Sequence, residues 1–287
     1  YGARGDFYRD YLGDNEKALA DYNKGLEMDP DDASLYYEIG YMYTDLGVYD
    51  LALQYLLKVV DLDPNYENAN NLIGYTYRNA FNEYEKAIEY YTKEIEITPN
   101  AAHTYRNIAL IYADNLGDNE KALVNYTKAI EVEPDNSTNY GARGDFYRDY
   151  LGDNEKALAD YNKGLEVNPD DASLYYEIGM TYLNSDPSEY DLALTNFLKV
   201  VDLESNYENA NNLIGYTYHY GLNEYEKAIE YYTKEIEITP NAAHTYRNIA
   251  LIYADNLGDN EKALVNYTKA IEVEPDNSTN YGARGDF

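Results

Sequence analysis

Residues 33–64 read ASLYYEIGYMYTDLGVYDLALQYLLKVVDLDP, and this stretch holds one complete copy of the pattern that decides the fold. Its first part is predicted to be a helix over residues 34–45, because Ser34 and the aspartates before it supply capping oxygens. Gly47 lies between this helix and a second one, where the backbone must turn tightly or become left-handed. Pro64 then closes the pattern. The stretch therefore predicts a helix, a short turn, a second helix and a turn that contains proline.

The second helix of the pattern is clearest in residues 15–26, which read NEKALADYNKGL. Ala18, Tyr22 and then Gly25 or Leu26 follow one another at spacings of three or four residues, so they form one apolar stripe on a helix. A proline follows this helix at intervals of about one repeat through the chain. These prolines are Pro30, Pro64, Pro99, Pro134, Pro169, Pro240 and Pro275, and Ser205 takes the place of one of them.

A longer repeat contains the short one. The segment YGARGDF occupies residues 1–7, 140–146 and 281–287, and residues 82–140 reappear unchanged as residues 223–281. We therefore predict one continuous array, with a first four-repeat block over 1–139, a second over 140–280 and the start of a third over 281–287. Because the end of the sequence restarts the block that opens it, we expect residues 1–287 to be part of a longer array.

The short repeat resembles the tetratricopeptide repeat, whose pattern combines large aromatic residues, Leu-Gly, Tyr, Ala and a final Pro. The resemblance covers essentially the whole chain and implies an all-α fold. That fold is a right-handed superhelical solenoid of antiparallel helix pairs, with about eight repeats. The residues that carry the resemblance most fully are Tyr36, Ile39, Gly40, Tyr43, Ala52, Leu56 and Pro64; Tyr105, Ile108, Ala109, Tyr112, Ala122, Tyr126 and Pro134; and Tyr140, Arg143, Gly144, Tyr147, Ala157, Tyr161 and Pro169.

Some positions depart from the family pattern. Asn70 and Asn211 stand where an aromatic residue is usual, and Arg4 and Arg143 stand where Leu is usual. Most repeats also carry one extra residue before the second helix. We expect these departures to change the local packing and to leave the fold intact.

The resemblance also implies a binding site, because the first helix of each repeat lines the concave wall of such a solenoid. Tyr, Asn and Arg together suit peptide or glycan contacts, although the tyrosines could instead only fill the groove. Met180 and His219 stand in the second block where the first has Tyr41 and Arg78. By analogy the groove residues are Tyr37, Tyr41, Asn71, Tyr75, Arg78 and Arg106 in the first block, and Tyr176, Asn212, Tyr216 and Arg247 in the second.

The composition narrows the class of partner. The chain has 53 acidic and 22 basic residues, for a formal charge of −31. A field of this sign repels nucleic acid and anionic membranes and favours basic partners, so we predict no nucleic-acid binding. No stretch of about 18 apolar residues appears, so we also predict no membrane insertion. Cysteine is absent, which excludes disulfides and thiolate chemistry.

Residue patterns typical of catalysis or of a metal site do not appear. His103, His219 and His244 are isolated, without a second ligand at metal-binding spacing. Acidic turns such as residues 29–32 lack the glycine and the distal Glu of a calcium loop. The adhesion tripeptide Arg-Gly-Asp at residues 4–6 is expected to be structural, because its glycine falls inside a helix. We therefore predict a chain that is not an enzyme and needs no cofactor.

Four Asn residues begin N-glycosylation sequons. Asn136 and Asn277 follow a proline in an inter-repeat turn, where an acceptor is accessible. Asn125 and Asn266 lie in a predicted helix and are poorer candidates. The motif alone does not show that any of the four is modified.

Two functions remain open. The first is an interaction scaffold whose groove binds a protein or peptide, which is the usual role of the family and rests on analogy. The second is a structural segment of a long filament, extended head to tail with further copies of itself and carrying glycans. The location of the protein is not indicated by the sequence, but the filament hypothesis would place it outside the cell or at its surface.

Overall fold

A computed structural model describes residues 1–286, and that part of the chain is helical with no strand. Phe287, the last residue of the predicted third block, lies outside the described residues. The first eight helices are α1 (Gly2–Asp10), α2 (Asn15–Met28), α3 (Ala33–Asp45), α4 (Tyr49–Leu62), α5 (Ala69–Thr76), α6 (Tyr84–Ile97), α7 (Ala102–Leu110) and α8 (Asn119–Val132). The next nine are α9 (Ser137–Leu151), α10 (Asn154–Val167), α11 (Ala172–Leu183), α12 (Tyr190–Leu203), α13 (Ala210–Tyr216), α14 (Tyr225–Ile238), α15 (Ala243–Leu251), α16 (Asn260–Val273) and α17 (Ser278–Asp286).

First and second helices pack in pairs, from α1 with α2 to α7 with α8 in the first unit and from α11 with α12 to α15 with α16 in the second, which confirms the predicted all-α fold with about eight repeats. The predicted local signals act as expected. An Asp32 carboxylate oxygen accepts hydrogen bonds from the backbone N–H groups of Ser34 and Leu35, at 3.0 and 3.3 Å, and so caps the start of α3. Gly47, in the turn after α3, has a φ of +70°, which a residue with a side chain rarely adopts.

Close approach of the two helices in a pair depends on small residues. A Cβ atom at Gly40 of α3 would lie 2.7 Å from a side-chain carbon of Leu56 on α4, and one at Gly74 of α5 would lie 2.9 Å from the ring of Tyr91 on α6. Leu56 and Tyr91 are both fully buried in these contacts. The small residues of the first helix thus allow the large side chains of the second helix to enter the pair.

The extra residue of the longer repeats has a defined place in the backbone. In four repeats the first helix ends in a π-helical turn, which takes one more residue per turn than an α-helix. In the two repeats that begin with α5 and α13, an asparagine with a φ of +55° follows this turn. The π-helical turns are Tyr77–Phe81, Ile111–Asn115, Thr217–Leu222 and Ile252–Asn256.

The chain divides into two compact units, Tyr1 to Phe146 and a second that begins at Tyr147. Each unit builds its core from the same kinds of contacts. In the first unit, Tyr22, Leu56 and Tyr91 are completely buried, and in the second Phe197 and Tyr232 are. We describe the two units separately.

Candidate functional site

The side chains on the first helices of the first unit form a connected surface, which we call the first-helix face. Tyr37 and Tyr41 of α3 stack with their ring centroids 6.4 Å apart. The side-chain amide of Asn68 donates a hydrogen bond to the Tyr37 hydroxyl at 2.9 Å. Asn71 of α5 accepts a hydrogen bond from the Asn107 amide of α7 at 3.3 Å. These contacts join successive first helices, so the face is continuous within the unit.

Arginines connect one first helix to the next. Arg9 of α1 pairs with Glu38 of α3, and its guanidinium lies over the ring of Tyr41, 5.4 Å from the centroid. Arg78, in the turn after α5, pairs with Asp114 at 3.3 Å. Since an ion pair next to an aromatic face restrains both side chains, these arginines stabilise the stacking of repeats.

Arg106, another predicted groove residue, is also used in this way. Its guanidinium donates to the side-chain oxygen of Asn139, and Asn139 is fully buried. Burial lowers the pKa of Arg106 below its ordinary value. In the second unit Arg247 donates to Asn280 in the same arrangement. Both arginines therefore hold neighbouring repeats together in this structure.

Two clefts open on the first-helix face of the first unit. The larger, which we call the turn cleft, has a volume of about 800 Å³ and lies where the turn before α5 meets the start of α7. The smaller, which we call the tyrosine cleft, has a volume of about 410 Å³ and lies between α3 and α5. The residues of the turn cleft used below are Tyr37, Asp63, Tyr66, Glu67, Asn71 and His103, and those of the tyrosine cleft are Tyr41, Leu72 and Tyr75.

The turn cleft is aromatic and acidic. The rings of Tyr37 and Tyr66 lie 5.0 Å apart with an angle of 32° between their planes. Burial is the main cause that raises the pKa of the Tyr66 phenol, and the carboxylate of Glu38 adds to the effect. A Glu94 oxygen accepts a hydrogen bond from the backbone N–H of Asn68 at 2.7 Å, so this buried carboxylate caps the start of α5 from inside the cleft.

The second unit has the same constellation. Tyr176 and Tyr207 hold their rings 5.3 Å apart at 31°, and burial raises the pKa of both phenols. Glu235 accepts a hydrogen bond from the backbone N–H of Asn212 at 3.3 Å, as Glu94 does from that of Asn71. The aromatic and acidic arrangement therefore occurs once in each unit.

The two units differ at His219. This side chain is 6% exposed, and its Nε2 atom lies 3.2 Å from the side-chain oxygen of Asn256. Burial lowers the pKa of His219 below its ordinary value. Because Arg78 stands at this place in the first unit, the ion pair with Asp114 is replaced here by a buried neutral contact.

The predicted groove residues thus fall into two groups. Tyr41, Tyr75 and Tyr216 are about 40% exposed and available to a ligand. The others are half-buried and bonded within the structure, where Tyr37 and Asn71 line the turn cleft and the arginines connect repeats. Sequence reasoning did not single out Tyr66 or Glu94. The sequence does contain a signal for Glu94: it is a charged residue on the apolar stripe of the second helix, at the position where the preceding repeat has Val59.

The Arg-Gly-Asp tripeptide, expected to be structural, is built into the fold. Arg4 forms two hydrogen bonds of 2.5 Å with Asp21, Gly5 is buried against the ring of Tyr22, and Asp6 accepts a hydrogen bond from the Tyr22 hydroxyl at 2.8 Å. In the next copy, Arg143 donates to the Thr127 hydroxyl at 3.2 Å. In the third copy, the side chain of Asp286 lies outside the described part of the chain.

All four sequon asparagines use their side-chain amides within the fold. Asn136 caps α9 by accepting from the backbone N–H of Thr138 at 3.1 Å, and it donates to Glu133 at 2.9 Å; Asn277 repeats both contacts. Asn125 and Asn266 lie on α8 and α16 and donate to backbone carbonyls one turn earlier. Glycosylation at these sites stays a prediction.

A tetratricopeptide repeat model matches residues 33–66, 67–101, 102–136, 208–242 and 243–277, which together make up more than half of the chain. A second model, described as a TPR repeat, matches residues 5–47 and 150–186. The chain belongs to the tetratricopeptide repeat family. The predicted resemblance is therefore confirmed. A search of the curated proteins returns no match.

Solved structures of this family have similar folds. The TPR protein YrrB, described as having an unusual peptide-binding site, is 26% identical with a TM-score of 0.53, over 69% of this chain and 99% of YrrB. The segment of MamA from position 41 to its end, from Desulfovibrio magneticus RS-1, is 25% identical with a TM-score of 0.52, over 61% of this chain and 95% of that segment. The C-terminal part of a TPR repeat-containing protein from Cytophaga hutchinsonii is 19% identical with a TM-score of 0.67, over 86% of this chain and 98% of that one. The last likeness shows the fold alone.

Between Tyr1 and Asp286, no three His, Asp or Glu side chains gather in a way that could hold a metal ion. No helix in the same range is long and apolar enough to cross a membrane.

Proposed function

We propose that this chain is a non-catalytic scaffold that binds a peptide, or an extended segment of another protein, on its first-helix face. One observation carries the proposal: Tyr41 and Tyr75 are each 41% exposed and line one cleft on that face. Exposed aromatic rings on a rigid surface supply large contact areas at low entropic cost. A peptide-binding site in YrrB, which shares the fold, supports the same reading.

The experiment that tests this proposal is selection of random 12-residue peptides displayed on phage, with the full chain immobilised. The variant Tyr41→Ser/Tyr75→Ser/Tyr216→Ser removes two exposed rings from the first-helix face and the corresponding exposed ring on α13 of the second unit. A matched control, Val124→Ser/Leu264→Ser/Val265→Ser, removes three exposed apolar side chains from the second helices α8 and α16. We expect the selected peptides to lose binding to the first variant and to keep it with the control. Equal binding to both variants would refute the proposal.

A second candidate is the filament. Phe7 of α1 is 50% exposed, whereas Phe146, its copy in α9, is 1% exposed and packs on Tyr126 with 5.3 Å between ring centroids. The exposed face of α1 therefore carries the same aromatic residue that is buried against the preceding repeat in α9. We propose that copies of this chain associate head to tail through this face.

Light scattering coupled to size exclusion, followed by electron microscopy at physiological salt, tests the filament. Wild-type assemblies that lengthen with protein concentration would support the filament, if the Phe7→Asp variant stays monomeric and the Val124→Asp variant still assembles. Monomers at every concentration would count against assembly between chains.

A further inference from the structure

We infer that the turn cleft, and the matching group of Tyr176, Tyr207 and Glu208 in the second unit, each bind an arginine side chain of the partner peptide. The inference rests on the proposed function and adds the class of ligand to it. It commits to one occupant, a peptide with arginines, on the basis of the geometry of the cleft and the distribution of charge.

The shape of the turn cleft suits a planar cation. The rings of Tyr37 and Tyr66 form a tilted pair with centroids 5.0 Å apart, and the cleft beside them has a volume of about 800 Å³. A planar guanidinium stacks on a phenol face, and attraction to the ring quadrupole adds to that contact. The cleft therefore has an aromatic wall and enough room for the end of an arginine side chain.

The turn cleft also carries negative charge. Asp63 and Glu67 line it and are exposed. In the part of the chain that the structure describes, neither carboxylate forms an ion pair, and His103 is the only basic side chain in the lining. A cation that enters the cleft thus meets carboxylates that no lysine or arginine of the chain neutralises.

The lysines and the first-unit arginines of the chain are already bonded elsewhere. Every lysine lies on a second helix and pairs there with a carboxylate three or four residues away. The arginines of the first unit lie on the first helices or in the turn after α5, and each bonds to another residue, as Arg9 does to Glu38. The carboxylates of the inter-repeat turns are therefore available to neutralise a cation of a partner, and a basic partner is complementary to their charge.

The structure contains an internal example of the proposed contact. The guanidinium of Arg9 lies over the ring of Tyr41 and pairs with Glu38, directly beside the turn cleft on α3. In the second unit Arg148 lies over Tyr161 and pairs with Glu177. The chain thus already holds arginine between a tyrosine ring and a carboxylate, and the turn cleft offers the same two groups to a ligand.

The probe is a fluorescein-labelled 12-residue peptide of Arg-Gly-Ser repeats, titrated with the full chain in 150 mM salt and followed by fluorescence anisotropy. A peptide with citrulline in place of arginine keeps the shape and removes the charge. We expect two binding sites per chain and binding of the citrulline peptide at least about tenfold weaker. Equal affinity for the two peptides would overturn the inference.

The variants distinguish the cleft from the general negative field. Tyr66→Ala/Tyr207→Ala removes one ring of each pair, and Glu67→Gln/Glu208→Gln removes one exposed carboxylate from each of the two proposed sites without loss of side-chain volume. The matched control Glu89→Gln/Glu230→Gln removes the same number of charges from the second helices, where both residues pair with lysines. We expect about tenfold and about fourfold weaker binding for the cleft variants, and less than about twofold for the control. An equal loss in the control and the Glu67 variant would show non-specific attraction and overturn the inference.

These outcomes stay separate from those of the proposed function. Phage-selected peptides that need Tyr41 and Tyr75, but contain no arginine and ignore the Glu67 variant, would overturn the arginine assignment and leave the peptide scaffold in place. Failure of every peptide selection would refute the scaffold itself.

Discussion

At the scale of single residues, the replacement of Arg78 by His219 is the difference between the two units with the clearest physical consequence. Arg78 pairs with Asp114 at 3.3 Å. His219 is buried, with Asn256 as its hydrogen-bond partner, and burial lowers its pKa below the ordinary value of about 6.5. One position thus makes the second unit sensitive to acid in a way that the first unit is not.

We predict that His219→Gln reduces the loss of stability on acidification. Below about pH 6.5 the unfolded chain binds a proton at His219 that the folded chain resists, so the free energy of unfolding falls as the pH falls. The measurement is the urea midpoint at pH 7.5 and pH 5.5. The shift of the urea midpoint between the two pH values should be smaller for His219→Gln than for the wild type. For the control Arg78→Gln, this shift should equal that of the wild type. An unchanged pH dependence in His219→Gln would contradict the burial argument.

At the scale of an element, helix α5 depends on a residue from another helix. Its N-cap, Asn68, has a φ of +67° and makes no side-chain capping hydrogen bond. Glu94 of α6 takes over this role, since it accepts from the backbone N–H groups of Asn68 and Asn71. The short first helix and the second helix of the repeat are therefore coupled through one carboxylate.

We predict that Glu94→Val destabilises the fold by about 1–3 kcal/mol, because it leaves two backbone donors at the start of α5 without their partner. Valine makes the position apolar and fits a buried site on this helix face, as Val59 does in the preceding repeat. Urea unfolding measures the loss, and hydrogen exchange should accelerate at the amides of Asn68 and Asn71. The exposed substitution Glu89→Gln on the same helix should change stability by less than about 0.5 kcal/mol. Equal effects of the two substitutions would refute the capping role.

At the scale of the whole molecule, the formal charge of −31 is the dominant electrostatic feature. The lysine pairs on the second helices are exposed, so each contributes little to stability. The excess of like charge opposes the compact state over longer distances, where salt screens it most.

We therefore predict that the melting temperature rises when NaCl is increased from 10 to 300 mM. Thermal unfolding followed by circular dichroism checks this, with an uncharged osmolyte of equal osmolality as the control for solvent effects. A melting temperature that falls with salt would mean that the local ion pairs outweigh the repulsion.

The sequence by itself determined the helices, their pairing and the family. Periodic Ala and Tyr residues, aspartate caps and turn glycines act over three or four residues, so their effect can be read along the chain. The glycine at 47 and the cap at 32 have the predicted conformations for this reason. The first-helix location of Tyr41 and Tyr75 followed from the resemblance.

Only the tertiary structure decided which of those first-helix side chains a ligand can reach. Arg106 and Asn71 lie on the predicted helices, but their hydrogen bonds go to residues 33 and 36 positions away, so the sequence does not show that they are already engaged. The turn cleft likewise needs Tyr37 from one repeat and Tyr66 from the turn before the next. Contacts of this kind depend on how neighbouring repeats stack, which is a property of packed side chains and not of any local pattern.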